Sequence, residues 1–260
     1  MSKPKIRVIR NLARSGGTLI SKCLATMDKV VLLSEVHPAN MVATEPMRQA
    51  VDWFKLVKKR QMMMWKLQKG PTFEQFMWVC YESAVGQGKT LVVRDWSHLD
   101  YHGVPFAKPT MGTGLCDALE QSFDVVQTCT VRHPLDQYLS FLGIGGGKRF
   151  TRAEYLHGCA EFAKAAVEIG FVRYEDFTRE PEAHLKLLCE RLEIDFDPGY
   201  ADRWWSYTNI TGDTVKSVGR GNQHKTIRPL ERRDVDERLL MEFRENKDYQ
   251  ATCEMLGYEV

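Results

Sequence analysis

No apolar run in this chain approaches the ~20 residues needed to cross a bilayer. No apolar core follows the opening Met-Ser-Lys-Pro-Lys-Ile-Arg as it would in a secretory leader. Net charge is equally scarce. The 36 Lys and Arg against 34 Asp and Glu leave +2 with histidines neutral, too little for the concentrated basic face of a nucleic-acid binder. The seven cysteines are odd in number and contain no Cys-x-x-Cys pair. That argues against a disulfide framework or a zinc site and for buried, reduced thiols. Repeats, low-complexity tracts and linkers are missing too. The expectation is one cytoplasmic domain spanning residues 1–260, with no membrane or nucleic-acid partner and no metal. A composition of 43% hydrophobic and 27% charged residues suits a single core. The basic runs Lys58-Lys59-Arg60 and Arg232-Arg233 are read as solvated helix faces.

What is present is alternation. Apolar, β-branched runs at residues 6–9, 30–33, 91–93, 124–130 and 171–173 read as strands. Leu19, Ile20, Cys23 and Leu24 recur at helical spacing after the first of them. Residues 41–86 look largely helical with a break at Gly70-Pro71, and their aromatic and Met side chains suit core, a dimer face or an acceptor pocket. Residues 94–114 look irregular. Pro134 stands early in a helix, where its missing N–H costs nothing. The glycines from Gly143 on suggest a flexible connection, and residues 150–168 a helix. Thr178 is read as the cap of a helix running to about 192, and residues 234–255 as one amphipathic helix. Strands alternating with helices predict a three-layer α/β domain, a mostly parallel sheet with helices on both faces.

Ala13-Arg14-Ser15-Gly16-Gly17-Thr18 joins the first strand to the first helix. Such a turn converges backbone N–H groups on an anion at the positive end of the helix. Arg14 adds charge, and Ser15 and Thr18 add hydroxyls. Two other stretches imitate a nucleotide loop and fail. Gly86-Gln87-Gly88-Lys89-Thr90 has Ser83 where the pattern needs glycine, and it precedes a strand. Gly147-Lys148 has Leu142 and Arg149 at the required Gly and Ser/Thr positions.

Arg132-His133-Pro134-Leu135-Asp136 with Ser140 then completes a pattern that resembles the PAPS-dependent sulfotransferases (PAPS is 3′-phosphoadenosine 5′-phosphosulfate). That family carries a [KR]-S-G-[TG]-T loop for the 5′-phosphosulfate, matched by Arg14, Ser15, Gly16, Gly17 and Thr18. Its R-[DH]-P-x-D motif with a later serine holds the 3′-phosphate, matched by Arg132 and Ser140. Its Y-E-D-[LF] element matches Tyr174-Glu175-Asp176-Phe177, with Tyr174 implied to contact adenine. Ser217-Val218-Gly219-Arg220-Gly221 resembles its late basic loop, implying Arg220 at the 3′-phosphate. The resemblance spans residues 5–195 and implies a P-loop NTPase-like sulfotransferase fold. It also implies PAPS as donor, 3′-phosphoadenosine 5′-phosphate as product and no metal. Lys, Thr and Trp stand in many members where Arg14, Gly17 and Leu19 stand here.

The reaction so implied is in-line transfer of a sulfuryl group to a hydroxyl or amine of unidentified acceptor, assisted by Arg14 and a general base. Glu35, His98 and His37 compete for the base, the first two on equal terms. A homodimer is compatible with the sequence. Two alternatives stay open: a nucleotide kinase or NTPase of the same fold class, with Asp95 as its metal-holding carboxylate, and a non-catalytic scaffold binding the 3′,5′-bisphosphate nucleotide.

Overall fold

The computed structural model describes residues 2–39, 41, 45–67, 70–105, 107–143, 149–212 and 225–260. Five strands, β1 (Lys5–Asn11), β2 (Val30–Val36), β3 (Thr90–Asp95), β4 (Asp124–Val131) and β5 (Phe171–Arg173), form one sheet in the order β2-β3-β1-β4-β5. Every pairing is parallel. Parallel strands are covered on both faces, which explains their nearly unbroken apolar runs. Ile6, Val8, Leu33 and Val93 pack on the helix Phe73–Gly86, while Ile9, Leu32 and Val92 face α1 (Gly17–Ala25). All seven cysteines are free and buried in these layers.

Local signals place several helix starts. Thr72 and Thr151 each form a reciprocal capping box, with Gln75 and Glu154. Pro134 opens α2 (Pro134–Leu142). Three expectations need correction. Thr178 caps nothing: it lies inside the helix Tyr174–Arg179 and its hydroxyl donates back to the Glu175 carbonyl at 3.0 Å. The next helix begins instead at Pro181. Residues 234–255 form two helices, Glu237–Arg244 and Lys247–Leu256, because Asn246 accepts from the N–H groups of Asp248 and Tyr249 and restarts the chain. Arg232 and Arg233 are not on a helix face. Arg232 reaches Asp136 at 3.3 Å, and Arg233 donates to the Leu139 carbonyl at 3.2 Å.

The chain leaves β1 through α1 toward β2 and later crosses to β4 on the other side. The carboxyl ends of β3, β1 and β4 therefore surround a topological switch point, where ligands bind in open α/β sheets.

Candidate active site

At that switch point residues 12–16 turn tightly. Arg14 (φ 69°) and Gly16 (φ 86°) both adopt left-handed backbone. The Ser15 hydroxyl donates to the Leu12 carbonyl at 2.7 Å, so it closes the turn from inside. A Cβ on Gly16 would stand 2.1 Å from the Tyr174 ring, and one on Gly17 would stand 2.3 Å from the Asn11 amide. Both glycines thus let backbone approach where no side chain fits.

Arg132, Ser140 and Tyr174 meet this loop. Arg132 Nη1 donates to the Arg14 carbonyl at 3.2 Å, and its guanidinium lies 5.0 Å from the Tyr174 ring centroid. Its Nε is buried without a hydrogen-bond partner. Arg14 turns away from the helix start and donates from Nε to Ser140 Oγ at 2.9 Å. The loop's own cation therefore sits beside the Arg132 group rather than at Thr18. A cleft of about 330 Å³, lined among others by Arg132, Tyr174, Arg173, Arg232 and Tyr258, opens alongside.

A second group gathers around Thr18. Arg94, buried at the end of β3, donates from Nη1 to Thr18 Oγ1 at 3.4 Å and lies 3.2 Å from Glu35 Oε1 through Nη2. Burial disfavours the charged guanidinium, and the Glu35 carboxylate opposes that effect. Arg94 Nη2 also donates to the Thr211 carbonyl at 3.1 Å. This ties residues 208–212 over the site. A Cβ on Gly212 would come within 2.9 Å of Thr18 Oγ1 and 3.4 Å of Glu35 Oε1. Glu35 stands at a bulge where the β2–β3 register shifts, with φ 55°. Left-handed backbone at a non-glycine residue costs roughly 1–2 kcal/mol, and such strain concentrates at functional positions. Sequence reasoning passed over Arg94. Its signal was a basic residue at the carboxyl end of an apolar strand.

The other candidate bases divide. His37 is engaged at both nitrogens: Nδ1 accepts from the Ala39 N–H at 3.1 Å, and Nε2 faces Asp100 Oδ2 at 3.2 Å. That fixes its tautomer and leaves no lone pair for a substrate proton. His98 keeps some exposed surface, packs edge-on against Trp96 and is pushed down to about 3 by burial, with Arg94 and His37 adding to the effect. Arg220 lies outside the described residues. Asp95 is buried and paired through one oxygen: Arg10 Nε lies 3.3 Å from Oδ2, and Ser97 donates to the same atom at 2.6 Å. Its Oδ1 is buried without a hydrogen-bond partner among the described residues.

His102 is also pushed down to about 3, by burial and then by His98. A histidine depressed in the folded state stays neutral there while the unfolded chain protonates. Stability is therefore fully present above about pH 6.5 and falls as pH drops toward 3. His102→Gln should flatten stability against pH in this window by about 1.4 kcal/mol per pH unit, one proton's worth. Urea unfolding at pH 4, 5 and 7 measures it, and parallel curves for variant and parent would disprove the shift.

No protein-family model and no curated protein matches this chain. Solved structures do. A sulfotransferase domain from the curacin biosynthetic pathway superposes with a TM-score of 0.69 at 19% identity, covering 100% of both chains. The sulfotransferase domain of the Synechococcus PCC 7002 olefin synthase gives 0.65 at 20% identity, covering 100% of this chain and 97% of that one. Both agree in architecture from end to end with the five-stranded parallel sheet described above. The chain has the sulfotransferase fold.

Proposed function

We propose that this protein is a PAPS-dependent sulfotransferase acting on a hydroxyl or amine acceptor. The observation that carries the reading is the pair of separate arginine-bearing sites at the sheet's carboxyl edge, one around Arg132, Arg14 and Ser140, the other around Thr18 and Arg94 with its partner Glu35. A donor charged at both ends requires two such sites. The residues fit it. Arg132 Nε lacks a partner, Gly16 and Gly17 leave a cradle that a Cβ would fill, and the adjoining cleft of about 330 Å³ reaches the size of small-ligand pockets.

When bound, the donor supplies an activated sulfuryl group and a phosphate leaving group. The protein's part is positioning and electrostatics, as in phosphoryl transfer. Arg132, Ser140 and Arg14 hold the 3′-phosphate, with Tyr174 against the nucleoside. Thr18 and the N–H groups opening α1 hold the 5′ end. Arg94 sets a buried positive charge beside Thr18, where it offsets negative charge far better than in water. Glu35 takes the acceptor's proton. It is partly exposed, carries strained backbone and shares Arg94 with the loop. His98, neutral across the physiological range, shapes the acceptor's approach. The kinase reading loses support because the Asp95 carboxylate is buried and its charge is already paired with Arg10.

Calorimetric titration with 3′-phosphoadenosine 5′-phosphate against Mg·ATP tests the reading. Tight binding of the first alone is expected, and preference for Mg·ATP would reject it. Arg132→Ala should weaken the 3′-phosphorylated nucleotide by about 2–5 kcal/mol, the scale for stripping one partner from a desolvated charge pair. Adenosine 5′-phosphosulfate should lose much less, and equal losses for both ligands would deny Arg132 the 3′-phosphate.

A further inference from the structure

Between Asp52 and Glu74 the chain has 21 residues with no acid, and six of them are basic: Lys55, Lys58, Lys59, Arg60, Lys66 and Lys69. The segment carries more positive charge than the +2 of the whole chain. Its centre is the helix Lys59–Leu67. Met62 and Trp65 pack this helix onto the core. Met63, Met64 and Leu67 point the other way and are 66%, 51% and 81% exposed. With Arg60 they stand at i, i+3, i+4 and i+7, one stripe along the helix. A nine-residue helix that is apolar on two faces, with one of them uncovered, marks an interaction surface.

The charges at its start identify the partner. Lys58, Lys59 and Arg60 are exposed and make no ion pair among the described residues. At a helix N-terminus they oppose the macrodipole, so external negative charge is doubly favoured there. A second copy is a poor occupant, because residues 53–73 hold no acid and a two-fold contact of this helix with itself would offer the cations no carboxylate from the same segment. A lipid surface is poor as well. Interfacial helices bury a long apolar face of Leu, Phe or Trp, whereas this nine-residue helix turns only Met63, Met64 and Leu67 outward and packs Trp65 onto the core. Methionines adapt to the side chains of a docked helix. We propose that this face docks an acidic amphipathic helix of a partner protein, with its apolar stripe on Met63, Met64 and Leu67 and its carboxylates on Lys58, Lys59 and Arg60. This does not depend on the sulfuryl-transfer reading.

Fluorescence anisotropy of the full chain tests it with two labelled 18-residue helical peptides. Both carry a leucine stripe at i, i+3, i+4 and i+7, one with glutamates and the other with lysines on the polar face. Saturable binding of the glutamate peptide alone is expected, weakening as salt rises. The triple variants M63S/M64S/L67S and K58E/K59E/R60E should each lower its affinity about tenfold or more, with circular dichroism and thermal unfolding showing them folded. These changes fall on exposed positions, where substitutions rarely unfold a protein. Equal binding of both peptides, or affinity indifferent to both triple variants, overturns the proposal. So does co-sedimentation with phosphatidylserine–phosphatidylcholine vesicles, or dimerisation at micromolar concentration, that these variants abolish while the peptide fails to bind.

Discussion

Gly16→Ala should abolish nucleotide binding, by at least about a hundredfold, and lower stability by about 1–3 kcal/mol, the usual cost of overpacking a filled site. The new methyl would stand 2.1 Å from the Tyr174 ring on a backbone at φ 86°. Relief requires moving a ring that is 7% exposed and lies 5.0 Å from the Arg132 guanidinium. The substitution therefore disturbs the cradle and the proposed 3′-phosphate site together. Calorimetry with 3′-phosphoadenosine 5′-phosphate reads the first effect and urea unfolding the second. Adding Tyr174→Ala should recover part of the stability but not the binding. A folded Gly16→Ala protein with parental affinity would remove the loop from the site.

Glu35→Gln should lower turnover by about 10²–10⁴-fold, the usual contribution of a general base, without loss of nucleotide affinity. The direction of that second effect separates chemistry from damage. Amidation removes the negative partner 3.2 Å from Arg94 and leaves the guanidinium's full charge facing the anion site. Binding of 3′-phosphoadenosine 5′-phosphate should stay equal or tighten, whereas a disrupted bulge would weaken it. His98→Ala should mainly raise the acceptor's KM, because its imidazole gains a proton only near pH 3. The assay follows labelled sulfate from PAPS into an acceptor found in cell extract. A turnover defect in His98→Ala with near-normal turnover in Glu35→Gln would reverse the two roles.

Arginine at 94 should also be required as a shape. Arg94→Lys keeps the charge but cannot reach Thr18, Thr211 and Glu35 at once. A fall in turnover exceeding the fall in nucleotide affinity is expected, and parental turnover would place Arg94 outside the reaction.

Much of this protein is settled by short-range pattern. The five strands, the glycine turn and the early Pro134 follow from what neighbouring residues can do with φ, ψ and a missing N–H. The parallel, two-face-covered sheet follows from unbroken apolar runs separated by helical ones. Arg14, Gly16, Arg132 and Ser140 could be nominated together because their strand-end positions are local facts. What they touch is not local. Arg14 meets Ser140 across 126 positions and Arg94 meets Thr211 across 117, so no periodicity records either bond. Folding alone turned the loop's cation toward Ser140 and brought Arg94 to Thr18 in its place. Folding also engaged both His37 nitrogens, which sequence left free to compete with Glu35. The helix Lys59–Leu67 shows the same division: its composition is written in the chain, but which of its two apolar faces stays uncovered depends on what the core has room to bury.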